Sequence, residues 1–146
     1  MPVERITLEN IRMRAREGAL LSDARDVTFR DVHLEVCPTS NVHTGAAASV
    51  ASHPITALWR AGVSLSFHTD NRLMSRITHS GEALALLQQA RLAPADLVGM
   101  GLEAARHSFL AAPIRNAAQG QLRRWAAGAG LPLPSGPLPP PTRAPR

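Results

Sequence analysis

The chain contains no lysine and no tyrosine, so all 16 of its basic side chains are arginine. Aromatic residues make up only 3% of it. That scarcity excludes the surface of interleaved aromatic and basic side chains on which single-stranded nucleic acids stack their bases. A single cysteine, Cys37, excludes an internal disulfide and suits a reducing compartment. No stretch approaches the roughly 20 apolar residues needed to span a bilayer. Arg and Glu interrupt every apolar run near the amino terminus, which leaves no signal-peptide core. Together these absences predict a soluble, cytoplasmic protein that makes no membrane contact.

Acidic residues are absent after Glu103, while Arg106, Arg115, Arg123, Arg124, Arg143 and Arg146 follow. Residues 1–32, in contrast, balance six acids against six arginines. The formal net charge is +5 and the sequence pI about 11.4. The high pI reflects the use of arginine more than a concentrated field, and the basic carboxy-terminal end reads as a solvated face plus a tail. A nucleic-acid partner is not expected. The 146 residues are enough for one ordinary domain, and 45% apolar content allows it a packed core.

Three unlike segments follow one another. In the first, residues 1–32, Ile6-Thr7-Leu8-Glu9-Asn10-Ile11-Arg12-Met13 aligns with Val27-Thr28-Phe29-Arg30-Asp31-Val32-His33-Leu34 at an offset of 21 residues. Apolar residues alternate in each copy, then skip at Asn10 or Asp31, which predicts strand, bend, strand. A unit that returns after about 20 residues is how a parallel β-helix stacks its coils. Residues 3–36 resemble the terminal coils of polygalacturonase-type β-helices, with an ordinary pair of strands as the plainer alternative. The coils carry no paired aspartates arranged for glycoside chemistry.

The second segment, residues 33–130, predicts an α/β order. "HLEVC" reads as a short strand and "CPTSN" as the turn after it. A helix is expected across Ile55, Leu58 and Trp59, stopped by Gly62, and a second strand across Val63, Leu65 and Phe67. Ser80 is expected to precede a helix reaching Leu92, with Glu82 favourable to its dipole. Pro94 opens the next helix, towards Phe109, and Pro113 a last one whose Ile114, Ala118, Leu122 and Trp125 form an apolar stripe. The third segment, 131–146, is proline-rich and reads as a disordered tail.

The second segment is similar to the carboxy-terminal part of adenosine deaminases. The likeness rests on "HLEVCPTSNVHTG" at 33–45, "HP" at 53–54, "AGV" at 61–63, "TDNRLMS" at 69–75 and "EAARHSFL" at 103–110. It implies a (β/α)8 TIM-type barrel fragment, the last two strands plus helices, preceded by the short β-helix-like strands. It implies a zinc-dependent hydrolase that converts adenosine to inosine and ammonia. By the same resemblance Asp70 is the catalytic carboxylate and the zinc ligand. Asn71 and Ser40 are substrate-binding residues: Asn71 at the purine contact, where many relatives have a second aspartate, and Ser40 at a position that supports it. His68 reads as a hydrogen-bonded packing residue and Cys37 as a small apolar filler.

The family's remaining chemistry is missing from the sequence. There is no His-x-His of a first barrel strand, no fifth-strand histidine with its acid–base glutamate, and no sixth-strand Gly-His turn. His43, His53, His79 and His107 show no spacing that sets two nitrogens on one metal. A catalytic zinc needs three protein ligands and an open position, and a (β/α)8 barrel needs about 250 residues. The chain therefore reads as a truncated deaminase fragment, inactive alone, with a purine nucleoside as the family's substrate. The alternative is a non-catalytic complementing fragment that pairs with a separate chain carrying the missing barrel half.

Overall fold

The computed structural model describes residues 32–133 in full, together with the backbone of four short amino-terminal strands. The chain divides into two units, Met1–Val32 and His33–Arg146. In the first, β1 (Val3–Glu4) pairs with β3 (Ala24–Arg25) and β2 (Thr7–Glu9) with β4 (Thr28–Arg30). Both pairs are parallel, with Val3 opposite Ala24 and Thr7 opposite Thr28, so both carry the 21-residue offset of the sequence repeat. Parallel neighbours cannot be joined by a tight hairpin. The expected bends at Asn10 and Asp31 lie outside the described residues, as does the carboxy-terminal tail beyond residue 133.

The second unit is built on a parallel pair, β5 (Leu34–Val36) and β6 (Leu65–Phe67), in the register Leu34–Leu65 and Val36–Phe67. Its crossover contains α1 (Pro38–His43) and α2 (Ile55–Arg60). After β6 come α3 (Arg72–Ser75), α4 (His79–Gln88), α5 (Pro94–His107) and α6 (Ala112–Gly128). Gly62 adopts φ +78° just after α2, a left-handed value that only glycine takes without penalty. The α2 stop is thus where the sequence places it.

One face of the sheet supplies the core. Leu65 and Phe67, with the half-buried Leu34 and Val36, pack with Ile55 and Trp59 of α2, Leu86 of α4 and Met100 of α5. Each such side chain contributes about 1.5–3 kcal/mol when fully removed from water. A polar clamp ties α2 to the start of α5. Asp96 accepts Trp59 Nε1–H at 2.9 Å, both Arg60 Nη groups at 2.8 Å and the Ala93 N–H at 2.7 Å. α5 and α6 pack tightly at Gly101, where a Cβ would lie 2.9 Å from Leu122 Cδ2.

Several elements differ from the sequence expectation. "CPTSN" is not a simple turn, because Pro38 at the first helical position starts the helix α1. α4 begins two residues earlier than expected: Thr78, not Ser80, is its cap, its hydroxyl accepting Gly81 N–H at 3.0 Å. That helix stops at Gln88, before Arg91 at φ +56°. On α6 the apolar stripe is not the buried line, since Ile114 is 53% and Trp125 59% exposed. Ala126 is buried instead, with Val98 and Leu102 of α5 and with Leu122 beside them. No helix among the described residues is long and apolar enough to cross a membrane.

Candidate functional site

The carboxy-terminal end of β6 turns sharply. His68 N–H still donates to Val36 O at 2.8 Å, but two residues on Asp70 takes φ +54°. Asp tolerates this left-handed region better than most residues, because its short polar side chain can bond locally. The turn leads directly into α3, whose cap is Asn71. Asn71 Oδ1 accepts the N–H groups of Leu73 and Met74, each at 3.1 Å.

Across the turn, Ser40 Oγ donates to Asp70 Oδ2 at 2.8 Å. The structure thus brings Ser40 and Asp70 together, and Ser40 supports Asp70 rather than the neighbouring Asn71. Asn71 has its carbonyl oxygen committed to α3, so its Nδ2 amide is the remaining hydrogen-bonding group of that side chain.

What aims Ser40 is the anchoring of α1. Cys37, at its amino end, provides no side-chain cap, so the first N–H groups of this short helix need acceptors from elsewhere. Glu82, fully buried on α4, supplies one: its Oε1 accepts Thr39 N–H at 2.9 Å. Its Oε2 is buried without a hydrogen-bond partner among the described residues. His53 anchors the following turn. Its Nδ1 accepts Ile55 N–H at 3.1 Å, which makes Nε2 the donor to Asn41 Oδ1 at 3.0 Å. Glu82, Asn41 and His53 were not singled out from the sequence as part of the site. The signal available was Cys37 itself, a residue with no cap to offer before an obligate helix start at Pro38.

Cys37 also borders the corner. Burial, then the charge of Asp70, push its thiol up to about 11, while the Asp70 backbone N–H pulls the other way. The thiol is therefore held in its protonated, weakly nucleophilic form at neutral pH.

A second polar group lies at the opposite, amino-terminal end of the strands. His33 Nδ1 meets Ser64 Oγ and His33 Nε2 meets Ser66 Oγ, both at 2.9 Å. Ser64 Oγ donates to Glu103 Oε2 at 2.5 Å, and Ser66 Oγ meets His68 Nε2 at 2.7 Å. The His33 and His107 rings stack, with centroids 4.5 Å apart and planes within 4°. Burial, and then His107, lower the His33 pKa to about 4, only partly offset by Glu103. Burial likewise lowers His53 and His68 below the ordinary histidine value.

A catalytic zinc requires three protein donors. Among the described residues no three-donor grouping includes Asp70, and the grouping that does exist is His33, Glu103 and His107. The corner on its own does not fit a catalytic zinc.

A parallel β-α-β unit with a carboxylate just past a strand end is the arrangement of α/β barrel enzymes, whose chemistry sits at that face. Comparison with known proteins narrows the class. The family model described as adenosine deaminase matches residues 3–125, which spans both units. Adenosine deaminase from Mycobacterium sp. strain JLS is 41% identical over 95 residues, 65% of this chain and 25% of that protein. Adenosine deaminase from Mycolicibacterium gilvum is 40% identical over 100 residues, 68% of this chain and 26% of that protein.

Two solved structures share the fold at low identity. Adenine deaminase from Arthrobacter aurescens gives a TM-score of 0.64 at 20% identity, over 66% of this chain and 29% of that one. N6-methyl-AMP deaminase from Arabidopsis thaliana gives 0.60 at 19%, over 66% and 28%. The chain belongs to the adenosine deaminase family, and its second unit is a carboxy-terminal part of a (β/α)8 barrel. It spans about a quarter of the length of the curated relatives it matches.

Proposed function

We propose that this chain supplies the last strands of an adenosine deaminase barrel and their corner of the active site, and that it does not turn over adenosine alone. The observation that carries this reading is the Ser40–Asp70 hydrogen bond, which fixes a carboxylate at the strand end where barrel chemistry takes place. In the complete site, zinc would supply the activated water for hydrolysis of the 6-amino group. Asp70 is suited to be one carboxylate ligand. The other donors and the acid–base residue come from barrel strands this chain does not include, so no step is assigned to the corner by itself.

The chain's own residues position. Ser40 orients the Asp70 carboxylate, and Asn71 offers Nδ2 as a hydrogen-bond donor to a purine ring nitrogen. Glu82 and His53 hold α1 so that Ser40 keeps its aim. The single cysteine supports a cytoplasmic setting.

Assays of inosine release test the reading. The purified chain alone should give none above the uncatalysed rate. Mixed with the separately expressed amino-terminal three-quarters of the Mycobacterium sp. JLS relative, it should restore turnover, and Asp70→Asn should remove it. Turnover by the chain alone, or restored turnover that survives Asp70→Asn, would overturn the proposal.

A further inference from the structure

His33, immediately before β5, and Glu103 and His107 on α5 each offer one ligand atom, and these atoms lie within 4.8 Å of one another. The set sits at the end of the strands away from Asp70. Glu103 and His107 are four residues apart on one helix, so they project from the same face. His33 reaches them from the strand side. Glu103 is 8% exposed and both histidines are partly buried, unlike a scatter of surface acids.

Two imidazoles and a carboxylate form the donor set of three-ligand zinc sites that keep a fourth position open. Nitrogen-and-oxygen sets of this kind also suit other first-row divalent ions. We propose that His33, Glu103 and His107 form a site for a divalent transition-metal ion, zinc first among them, separate from the Asp70 corner.

The surroundings support the ligand roles. Ser66 holds His33 through Nε2, as outer partners do for metal-bound imidazoles, and leaves Nδ1 on the side of Ser64 and Glu103. Arg106 Nη1 lies 3.5 Å from Glu103 Oε1, so Oε2 is the oxygen turned inward. His107 Nε2 is 3.5 Å from that Oε2. Between His33 Nδ1 and Glu103 Oε2 stands the Ser64 hydroxyl, which bridges them and would give way to the ion.

A second rearrangement is required besides the withdrawal of the Ser64 hydroxyl. Two parallel rings cannot both direct a lone pair at the same ion, and the His33 and His107 planes lie within 4°. His107 is the last residue of α5 and its side chain is 26% exposed. Turning its ring about the Cβ–Cγ bond would break the stack. The donors then close towards the roughly 3.4 Å separations of a tetrahedral ion with bonds of about 2.0–2.1 Å.

The test uses the full chain without an affinity tag, stripped with a chelator and titrated with cobalt(II), then zinc(II). One equivalent of cobalt should give the visible absorption of a tetrahedral ion, and zinc should displace it. His107→Asn and Glu103→Gln should each abolish that absorption, with helical circular dichroism retained, while Asp70→Asn leaves it intact. In the unaltered chain, zinc should shift the ring resonances of His33 and His107 and leave those of His43 and His53 in place. This second measurement decides the matter if a variant fails to fold. The proposal is overturned by an affinity weaker than roughly 100 µM, by uptake that survives His107→Asn, or by uptake lost in Asp70→Asn. None of these readouts depends on deaminase activity, so the two proposals fail separately.

Discussion

Glu82 of α4 receives the Thr39 N–H of α1 at 2.9 Å, one residue before the serine that holds Asp70. A side chain from one helix thus does for another what its own amino-end residue cannot do. Glu82→Ala should leave a buried N–H without an acceptor and open a cavity, for a loss of about 2–4 kcal/mol. Glu82→Gln keeps an acceptor oxygen in place and should stay within about 1 kcal/mol of the original. Urea unfolding of the two variants checks the contrast, and amide exchange at Thr39 reports the bond directly. Equal destabilisation by Ala and Gln would remove the capping account.

Asp96 gives the pH dependence. Burial by itself raises its pKa, but the bonds from Ala93 N–H, Trp59 and Arg60, with the Arg60 charge, outweigh it and hold the carboxyl below its usual 3.8. A depressed carboxyl contributes stability that is fully present above its unfolded pKa and is lost as pH falls through the folded value. The contribution should therefore hold at neutral pH and fade below about pH 4. Arg60 is 56% exposed, so solvent screens part of the pair. Asp96→Asn should flatten the fall in unfolding midpoint across that acid window. An unchanged slope would show that other groups control it.

Cys37 should be slow to react. With its thiol pushed from 9.0 up to about 11, it holds on the order of a hundredfold less thiolate at neutral pH than an ordinary thiol. Labelling by iodoacetamide should lag behind free cysteine by at least that factor and accelerate on unfolding in urea. Rapid labelling of the folded chain would contradict the burial that raises the thiol.

The sequence made some of this legible and hid the rest for physical reasons. The 21-residue repeat at Thr7 and Thr28 and the alternation at Leu65 and Phe67 emerge as parallel strand pairs, since a returning offset and a two-residue alternation are both local signals of strand. Trp125 on α6 shows the limit of that signal. Its spacing marks a stripe, but spacing does not say which part of a stripe finds a partner, and here Ala126 does. The clusters were hidden because they are long-range. Thr39 and Glu82 are 43 residues apart, and Ser64 and Glu103 are 39 apart. Only Glu103 and His107 carried a local trace, their four-residue separation on one helix. The family motifs located Asp70 and Ser40 but not their mutual bond.

Asn71 is where the cap and the resemblance to a purine contact meet. Its Oδ1 takes two N–H groups of α3, a helix of four residues with little else to hold its amino end. Asn71→Ala should remove that cap, costing about 1 kcal/mol locally and speeding amide exchange at Leu73 and Met74. Asn71→Asp, the residue many relatives carry, should keep both bonds and add a negative charge at the positive end of the helix, so exchange there should slow or stay level. In a reconstituted barrel the same pair of variants separates the two roles. If Nδ2 donates to the purine, Asn71→Asp should raise KM for adenosine while α3 stays ordered, whereas Asn71→Ala should disturb both. Protection at Leu73 lost equally in both variants would show that the cap does not depend on the side-chain oxygen.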